Sequence, residues 1–317
     1  MICKINVQEK PMAVVLISGG SGLIGTSLSR FLLSRGHRVA VLTRSPQTKL
    51  AYGESILWDG KRPGVWTEWV QKADWIVNLA GANIGASRWT ASRLQEIRES
   101  RIYAGQLLVD AITRSPHQPS VFVQMSAIGA YGIQSKSDPA GWDESQPYGT
   151  DRLAQICREW EASSAPIEKL GVRRLVLRTG LVLSARGGVL PRMELPFRLF
   201  IGGPLGDGRQ VYSWIHLDDL IQAMYALLED HQAGGVYNFT APGPVTNAEF
   251  AHKLGQILHR PSSLPVPAIA LRLMLGEMST LVLNGQRIIP GRLQTEIRYR
   301  FQYPDLESAL RQVLASP

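Results

Sequence analysis

The segment Ser18-Gly19-Gly20-Ser21-Gly22-Leu23-Ile24-Gly25 decides the fold. Gly19, Gly22 and Gly25 give a G-x-x-G-x-x-G spacing. The apolar run Ala13 to Ile17 precedes it and reads as a buried strand. A helical pattern follows, with Leu28, Phe31 and Leu32 on one face, and closes at Gly36. Val39 to Leu42 is a second apolar strand. Strand, glycine turn, helix and strand together form the context in which such glycines cradle a dinucleotide. One glycine permits the tight turn, one lets backbone approach a pyrophosphate, and one lets helix and sheet pack closely. The helix beginning near Leu23 points its free N–H groups and positive dipole end at the phosphates. Gly19, Gly20, Ser21, Gly22, Leu23, Ile24 and Gly25 are therefore candidate cofactor-binding residues.

Moving outward, the same alternation continues. Short strands are predicted at Ile56 to Trp58, Trp75 to Leu79, Ser120 to Met125 and Arg174 to Leu177. Helices are predicted over 89–114 and 151–170. Strands alternating with helices imply parallel pairing through right-handed crossovers. Continuous apolar strands fit a sheet covered on both faces. The predicted fold class is α/β, a doubly wound parallel (Rossmann) sheet with a smaller C-terminal mixed α/β cap. After about residue 180, turn signals such as Gly202-Gly203-Pro204 and Gly206-Asp207-Gly208 change the texture. Helices near 217–230, 247–258 and 266–276 and a strand at 236–239 are expected there. The predicted organisation is an extension over 1–11, a nucleotide-binding domain over 12–180 and a cap over 181–317. Leu271, Met274, Leu275 and Met278 form an apolar stripe at helical spacing, expected to pack into the core.

The second strand ends in Thr43-Arg44-Ser45. A free ribose 2′-OH usually meets an acidic residue there. A guanidinium flanked by two hydroxyls instead suits a 2′-phosphate, so NADP(H) is the expected cofactor. Asn78-Leu79-Ala80-Gly81 ends the fourth strand, and its small residues leave room for the middle of the cofactor. Asp59 has two readings, as an acceptor for the adenine amino group or as a turn residue before Gly60.

Bulk properties narrow the class. The chain has 317 residues, 44% apolar and 19% charged, as expected of a globular protein with a sizeable core. Its net charge is +8, with no basic block or aromatic-basic interleaving, so nucleic acid is not an expected partner. Two cysteines, Cys3 and Cys157, form neither a disulfide framework nor a metal motif. A reducing, cytoplasmic setting is expected. No run approaches the ~20 apolar residues of a membrane span, and residues 1–10 are too polar for a signal peptide. Met12 is a candidate alternative start.

With Ser126-Ala-Ile-Gly-Ala-Tyr-Gly132, Arg178-Thr-Gly-Leu-Val-Leu183 and Trp214-Ile-His-Leu-Asp-Asp219 added to the glycine loop and Asn78–Gly81, the chain resembles the extended short-chain dehydrogenase/reductase superfamily. Trp160-Glu161, Leu195-Pro-Phe-Arg-Leu199, Thr246-Asn-Ala-Glu-Phe250 and Leu281-Val-Leu-Asn-Gly-Gln-Arg287 are similar to one poorly characterised branch. Its members are called epimerase family proteins or nucleoside-diphosphate-sugar epimerases, and some carry a cell-division-inhibitor label. The resemblance implies a branch-specific C-terminal domain over about 260–310.

It also implies a catalytic Ser/Thr, a Tyr and a Lys four residues after the Tyr. Ser126, at the end of the fifth strand, fits the first role. The Tyr position falls near Arg152 or Leu153 and the Lys position near Ile156 or Cys157, so neither residue type is present. Tyr148-Gly-Thr-Asp-Arg152 is a near miss, placed by Pro147 and Gly149 in a turn. Tyr131 is the better candidate acid. Without a Lys its pKa should stay near ~10, so it would donate or orient rather than act as a base; packing over the cofactor without chemistry is the competing reading. His216 with Asp218 and Asp219 is expected to cap a helix rather than hold a metal. Arg178 and Arg209 are candidates for the cleft. The leading expectation is an NADP(H)-dependent oxidoreductase or epimerase on a small carbonyl or sugar nucleotide. The alternative is a cofactor-binding regulatory or scaffold protein with little turnover, linked to cell or plastid division.

Overall fold

The computed structural model describes residues 12–45 and 50–315. The expected extension over 1–11, with Cys3, lies outside the described residues. β1 (Val14–Ser18), β2 (Arg38–Thr43), β3 (Glu54–Leu57), β4 (Trp75–Asn78), β5 (Val121–Ala127) and β6 (Arg173–Thr179) follow in chain order. Three short strands come next: β7 (Leu181–Leu183), β8 (Val211–Tyr212) and β9 (Trp214–His216). β10 (Gly235–Phe239) then returns to the main sheet, whose order is β10-β6-β5-β4-β1-β2-β3 with every pairing parallel. The order reverses between β1 and β4, which opens a crevice at their carboxyl ends.

Alternation along the strands builds two cores. Val15, Ile17, Val39 and Val41 face one side, against α1 (Leu23–Ser34). Leu16, Ala40, Leu42, Ile76 and Phe122 face the other. That face is covered by α2 (Thr67–Val70) and by α3 (Ala91–Thr113), through Leu108 and Ile112. Successive side chains point to opposite faces, so a sheet covered on both needs the unbroken apolar runs seen in the sequence.

The predicted helix 151–170 is two elements. α4 (Arg152–Ala162) ends before Ser163 and Ser164, and a 3-10 turn covers Ala165–Leu170. Pro166 explains the break, because it lacks an amide hydrogen and disfavours a helical residue before it.

In the C-terminal part, α5 (Leu190–Arg198), α6 (Leu217–Glu229) and α7 (Asn247–Leu258) precede α8 (Ala268–Leu275), α9 (Thr280–Leu283), α10 (Gly291–Thr295) and α11 (Leu306–Ala315). α6 packs on the main sheet through Leu220, Met224 and Leu227. Phe197, Phe250, Leu254, Leu306 and Leu310 form a third core that joins α5, α7 and α11. The apolar stripe on α8 is a correction: only Leu271 is buried, and Met274 is 67% exposed. α8 is short and lies at the periphery, so helical spacing there does not mark a core face. Among the described residues no helix is long and apolar enough to cross a membrane.

Candidate active site

The glycine loop joins β1 to α1, and each glycine answers to a different neighbour. A methyl added at Gly19 would meet the Leu79 carbonyl at 2.7 Å, and Gly19 holds φ +70°. One at Gly20 would meet Val41 at 2.5 Å, and one at Gly25 would meet Gly20 Cα at 2.3 Å. Gly22 differs: its nearest contact would be Gly19 O at 3.4 Å, ordinary van der Waals distance. Gly19, Gly20 and Gly25 are thus demanded by the fold, whereas Gly22 has space beside it. Gly22 is the N-cap of α1, and no side chain caps that end. The first amides of the helix, beginning with Leu23 and Ile24, have no intrahelical acceptor. The first turn carries no acidic residue. Ser21 is exposed beside it. This cradle fits a diphosphate.

Arg44, expected from the sequence at the adenosine end of a cofactor, is exposed just past β2 and without a hydrogen bond or ion pair among the described residues. Thr43 is buried; its hydroxyl lies 3.2 Å from Ser45 O and 3.0 Å from Ser55 Oγ. Thr43 therefore orders the strand end while Arg44 projects from it. Asp59 accepts from the amides of Lys61 (2.8 Å) and Arg62 (2.9 Å), which lower its pKa. Its carboxylate closes its own turn.

Asn78 is fully buried. Its Oδ1 accepts from Ser18 Oγ at 2.6 Å and its Nδ2 donates to Gln124 Oε1 at 3.1 Å. This chain of amides and hydroxyl ties β1, β4 and β5 at the floor of the crevice. Leu79 donates its amide to Ser18 O at 3.0 Å, and Ala80 donates to Asn78 Oδ1 at 3.3 Å. Gly81 follows, exposed to the cleft.

Beyond β5 lies a buried polar cluster whose hub is Glu161, quoted in the sequence only as part of the Trp160-Glu161 resemblance and given no role in the site there. Glu161 sits on α4 and accepts from Ser126 Oγ (2.6 Å), Tyr148 OH (2.5 Å), Arg178 Nε (3.0 Å) and Arg178 Nη2 (3.0 Å). Ser126 is at the strand end where the sequence puts it, yet its hydroxyl points into this cluster. Arg178 is not an exposed cleft cation. It is 3% exposed, and its guanidinium lies 4.7 Å from the Tyr131 ring centroid and 4.6 Å from that of Tyr148. Burial opposes its charge, but the fork to Glu161 outweighs burial and holds the guanidinium protonated. Tyr148 precedes α4 in a loop, as Pro147 and Gly149 require. Burial, then the Glu161 carboxylate, pushes its phenol up to about 12.

Tyr131 is buried and donates to Asn238 Oδ1 at 2.7 Å. Burial raises its pKa, with Arg178 opposing. On α4, Leu153 and Cys157 face Gly129, 3.8 and 3.9 Å from where its Cβ would lie. That is the helix face on which the missing Tyr and Lys would fall. Burial pushes the Cys157 thiol up to about 12, so it stays neutral.

A cavity of about 300 Å³ opens next to this loop, between residues 134–139, 207–211 and 285–287. Lys136, Arg209 and Arg287 line it, and Lys136 pairs with Asp207 at 2.6 Å. His216 lies elsewhere: it caps α6, its Nδ1 accepting from the Asp218 amide at 3.1 Å. Its Nε2 therefore carries the proton and donates to Gln312 Oε1 at 2.7 Å. Asp219 accepts from Tyr299 OH and from the amides of Gln302 and Tyr303. These residues dock the C-terminal segment, and no metal-binding group occurs among the described residues.

Comparison with known proteins shows the family and the fold. Residues 15–239 match the NAD dependent epimerase/dehydratase family, and residues 266–313 match a domain of unknown function, DUF1731. The Arabidopsis thaliana epimerase family protein SDR39U1 homolog, chloroplastic, is 40% identical over 97% of this chain and 88% of its own. The crystal structure of human epimerase family protein SDR39U1 (isoform 2) with NADPH superposes with a TM-score of 0.84 at 34% identity, covering 96% of this chain and 100% of that one. A nucleoside-diphosphate sugar epimerase from Corynebacterium glutamicum gives 0.78 at 32% identity, over 96% of this chain and 58% of that one.

Proposed function

The chain belongs to the NAD dependent epimerase/dehydratase family, and from that premise we propose that it is an NADP(H)-dependent oxidoreductase or epimerase acting on a small carbonyl or sugar-nucleotide substrate. The cofactor is NADP(H). Its diphosphate is held over Gly22 by the open first turn of α1, and its 2′-phosphate by Arg44. Bound NADP(H) supplies or accepts a hydride at the substrate carbon. Tyr131, kept neutral by burial, turns its single O–H from Asn238 Oδ1 to the reacting oxygen when substrate binds, and so donates a hydrogen bond rather than removing a proton. Asn238 holds the Tyr131 hydroxyl, and Arg178 beneath its ring orients it. Ser126 works through Glu161, which fixes Arg178. A cytoplasmic setting belongs to this proposal and accords with the free, buried Cys157.

The observation that carries the reading is the uncapped helix end beside Gly22, where the protein leaves room that its own packing does not use. The test has two stages. Fluorescence titration should give tighter binding of NADPH than of NADH. The NADPH absorbance band should then fall with a member of a carbonyl and sugar-nucleotide panel, and Tyr131→Phe should abolish that loss while Tyr148→Phe retains it. Tight binding without turnover anywhere in the panel would favour the regulatory or scaffold reading instead.

A further inference from the structure

The end of α5 and the approach to α8 share one composition. Residues 195–206 and 259–276 hold three arginines, Arg198, Arg260 and Arg272, and not one carboxylate. Half of the large apolar side chains exposed among the described residues lie in these two stretches. Their backbones run side by side. Val266 donates its amide to Pro204 O, and Gly206 donates to Val266 O, both at 2.8 Å. A methyl at Gly203 would meet the Leu264 carbonyl at 2.0 Å. The chain leaving α5, with Leu199, Phe200 and Ile201 exposed, is thus fixed against the chain that brings in Leu264 and then α8, where Leu273 and Met274 are exposed. Apolar side chains gathered at a surface in this way mark a place of contact.

Phe200 holds φ +64°, a left-handed position just past a helix end that glycine usually fills. Its amide donates to Phe197 O and that of Ile201 to Pro196 O, each at 2.9 Å, which pins the turn. A phenylalanine is strained there, and at 57% exposure it gains little from the core in return. The charges around it are of one sign. Arg198 pairs with Glu194 at 3.2 Å. Arg260 lies 4.6 Å from the Phe200 ring centroid and donates to His259 O at 3.0 Å, with no carboxylate partner among the described residues. The exposed Arg272 guanidinium has no hydrogen bond or ion pair among them.

We infer that this face docks on an anionic lipid surface, with Phe200 and its apolar neighbours entering the headgroup boundary and Arg260 and Arg272 meeting lipid phosphates. An anionic bilayer offers an apolar layer and negative charge together. A second copy of the chain is a poorer match, because it would set the same arginines against one another with no carboxylate on either side. α8, Ala268–Leu275, is too short to cross a bilayer and suits its interface.

The test is sedimentation of the full chain with vesicles of phosphatidylcholine, alone or mixed in equal parts with phosphatidylglycerol. Wild type should sediment with the mixed vesicles and not with the neutral ones, and rising salt should release it. Arg272→Gln should weaken that binding about fivefold and Phe200→Gly about tenfold. Phe200→Gly also relieves the left-handed strain, so it should melt no lower than wild type, which separates lost docking from lost folding. Wild type that ignores the mixed vesicles, or binds neutral ones equally well, would overturn the inference. So would vesicle binding that neither substitution weakens. Dimerisation without lipid that Phe200→Gly abolishes would overturn it too, since a second copy would then cover the face.

Discussion

Arg178 and Glu161 form a two-bond fork, Nε to Oε1 and Nη2 to Oε2, each 3.0 Å, with both side chains 4% exposed. The pair bridges β6 and α4 and carries Ser126 and two tyrosine rings with it. Removing one partner strands the other charge in the interior, which typically costs about 3–5 kcal/mol. Glu161→Ala should lose stability on that scale in urea unfolding. Glu161→Gln, which keeps an acceptor, should lose less. Equal stability of Glu161→Ala and wild type would remove this fork from the account of the core.

Two glycines in one loop should behave oppositely. Gly25→Ala places a methyl 2.3 Å from Gly20 Cα, backbone against backbone, so it should lower the melting temperature clearly. Gly22→Ala meets nothing closer than 3.4 Å and should melt close to wild type. Its methyl would instead stand where a diphosphate approaches, so NADPH affinity should fall at least tenfold. A Gly22→Ala protein that melts normally and still binds NADPH at full strength would contradict the cradle.

Arg44 should discriminate between cofactors rather than support the fold. It is exposed and unpartnered among the described residues. Arg44→Ala should weaken NADPH by about tenfold or more while NADH binding and the melting temperature hardly change. The readout is the ratio of the two affinities. A drop shared equally by both cofactors would place Arg44 away from the 2′-phosphate.

His216 should make docking of the C-terminal segment pH-dependent. Burial lowers its pKa from 6.5, with the Gln312 bond opposing. The folded protein therefore binds this proton less readily than the unfolded chain. The contribution is fully present above about pH 6.5 and is lost as pH falls below it. Hydrogen exchange should show α11 amides opening more readily at pH 5.5 than at pH 7.5. His216→Gln should reduce that difference. An identical pH response in the two proteins would exclude His216 as its source.

The sequence by itself determined the sheet, the glycine turn and the cofactor's charge preference. Those are local matters: unbroken apolar strands, the spacing of Gly19, Gly22 and Gly25, and the residue type at position 44 follow one another along the chain. Strand ends shifted by only a residue or two, as β3 shows, because its exposed edge lacks a strong apolar boundary. Even the break at Pro166 has a local cause.

What the tertiary structure alone decided is who meets whom among the polar residues. Ser126 is drawn to Glu161, 35 positions away, and Tyr131 to Asn238, 107 away. Arg178 is buried between two rings, and Arg101 on α3 donates to the Ala82 and Ile97 carbonyls. Met274, apolar at helical spacing, is left at the surface. A charge or hydroxyl can be satisfied by any partner the fold brings near, and that choice is fixed by packing across the crossovers rather than by any pattern along the chain.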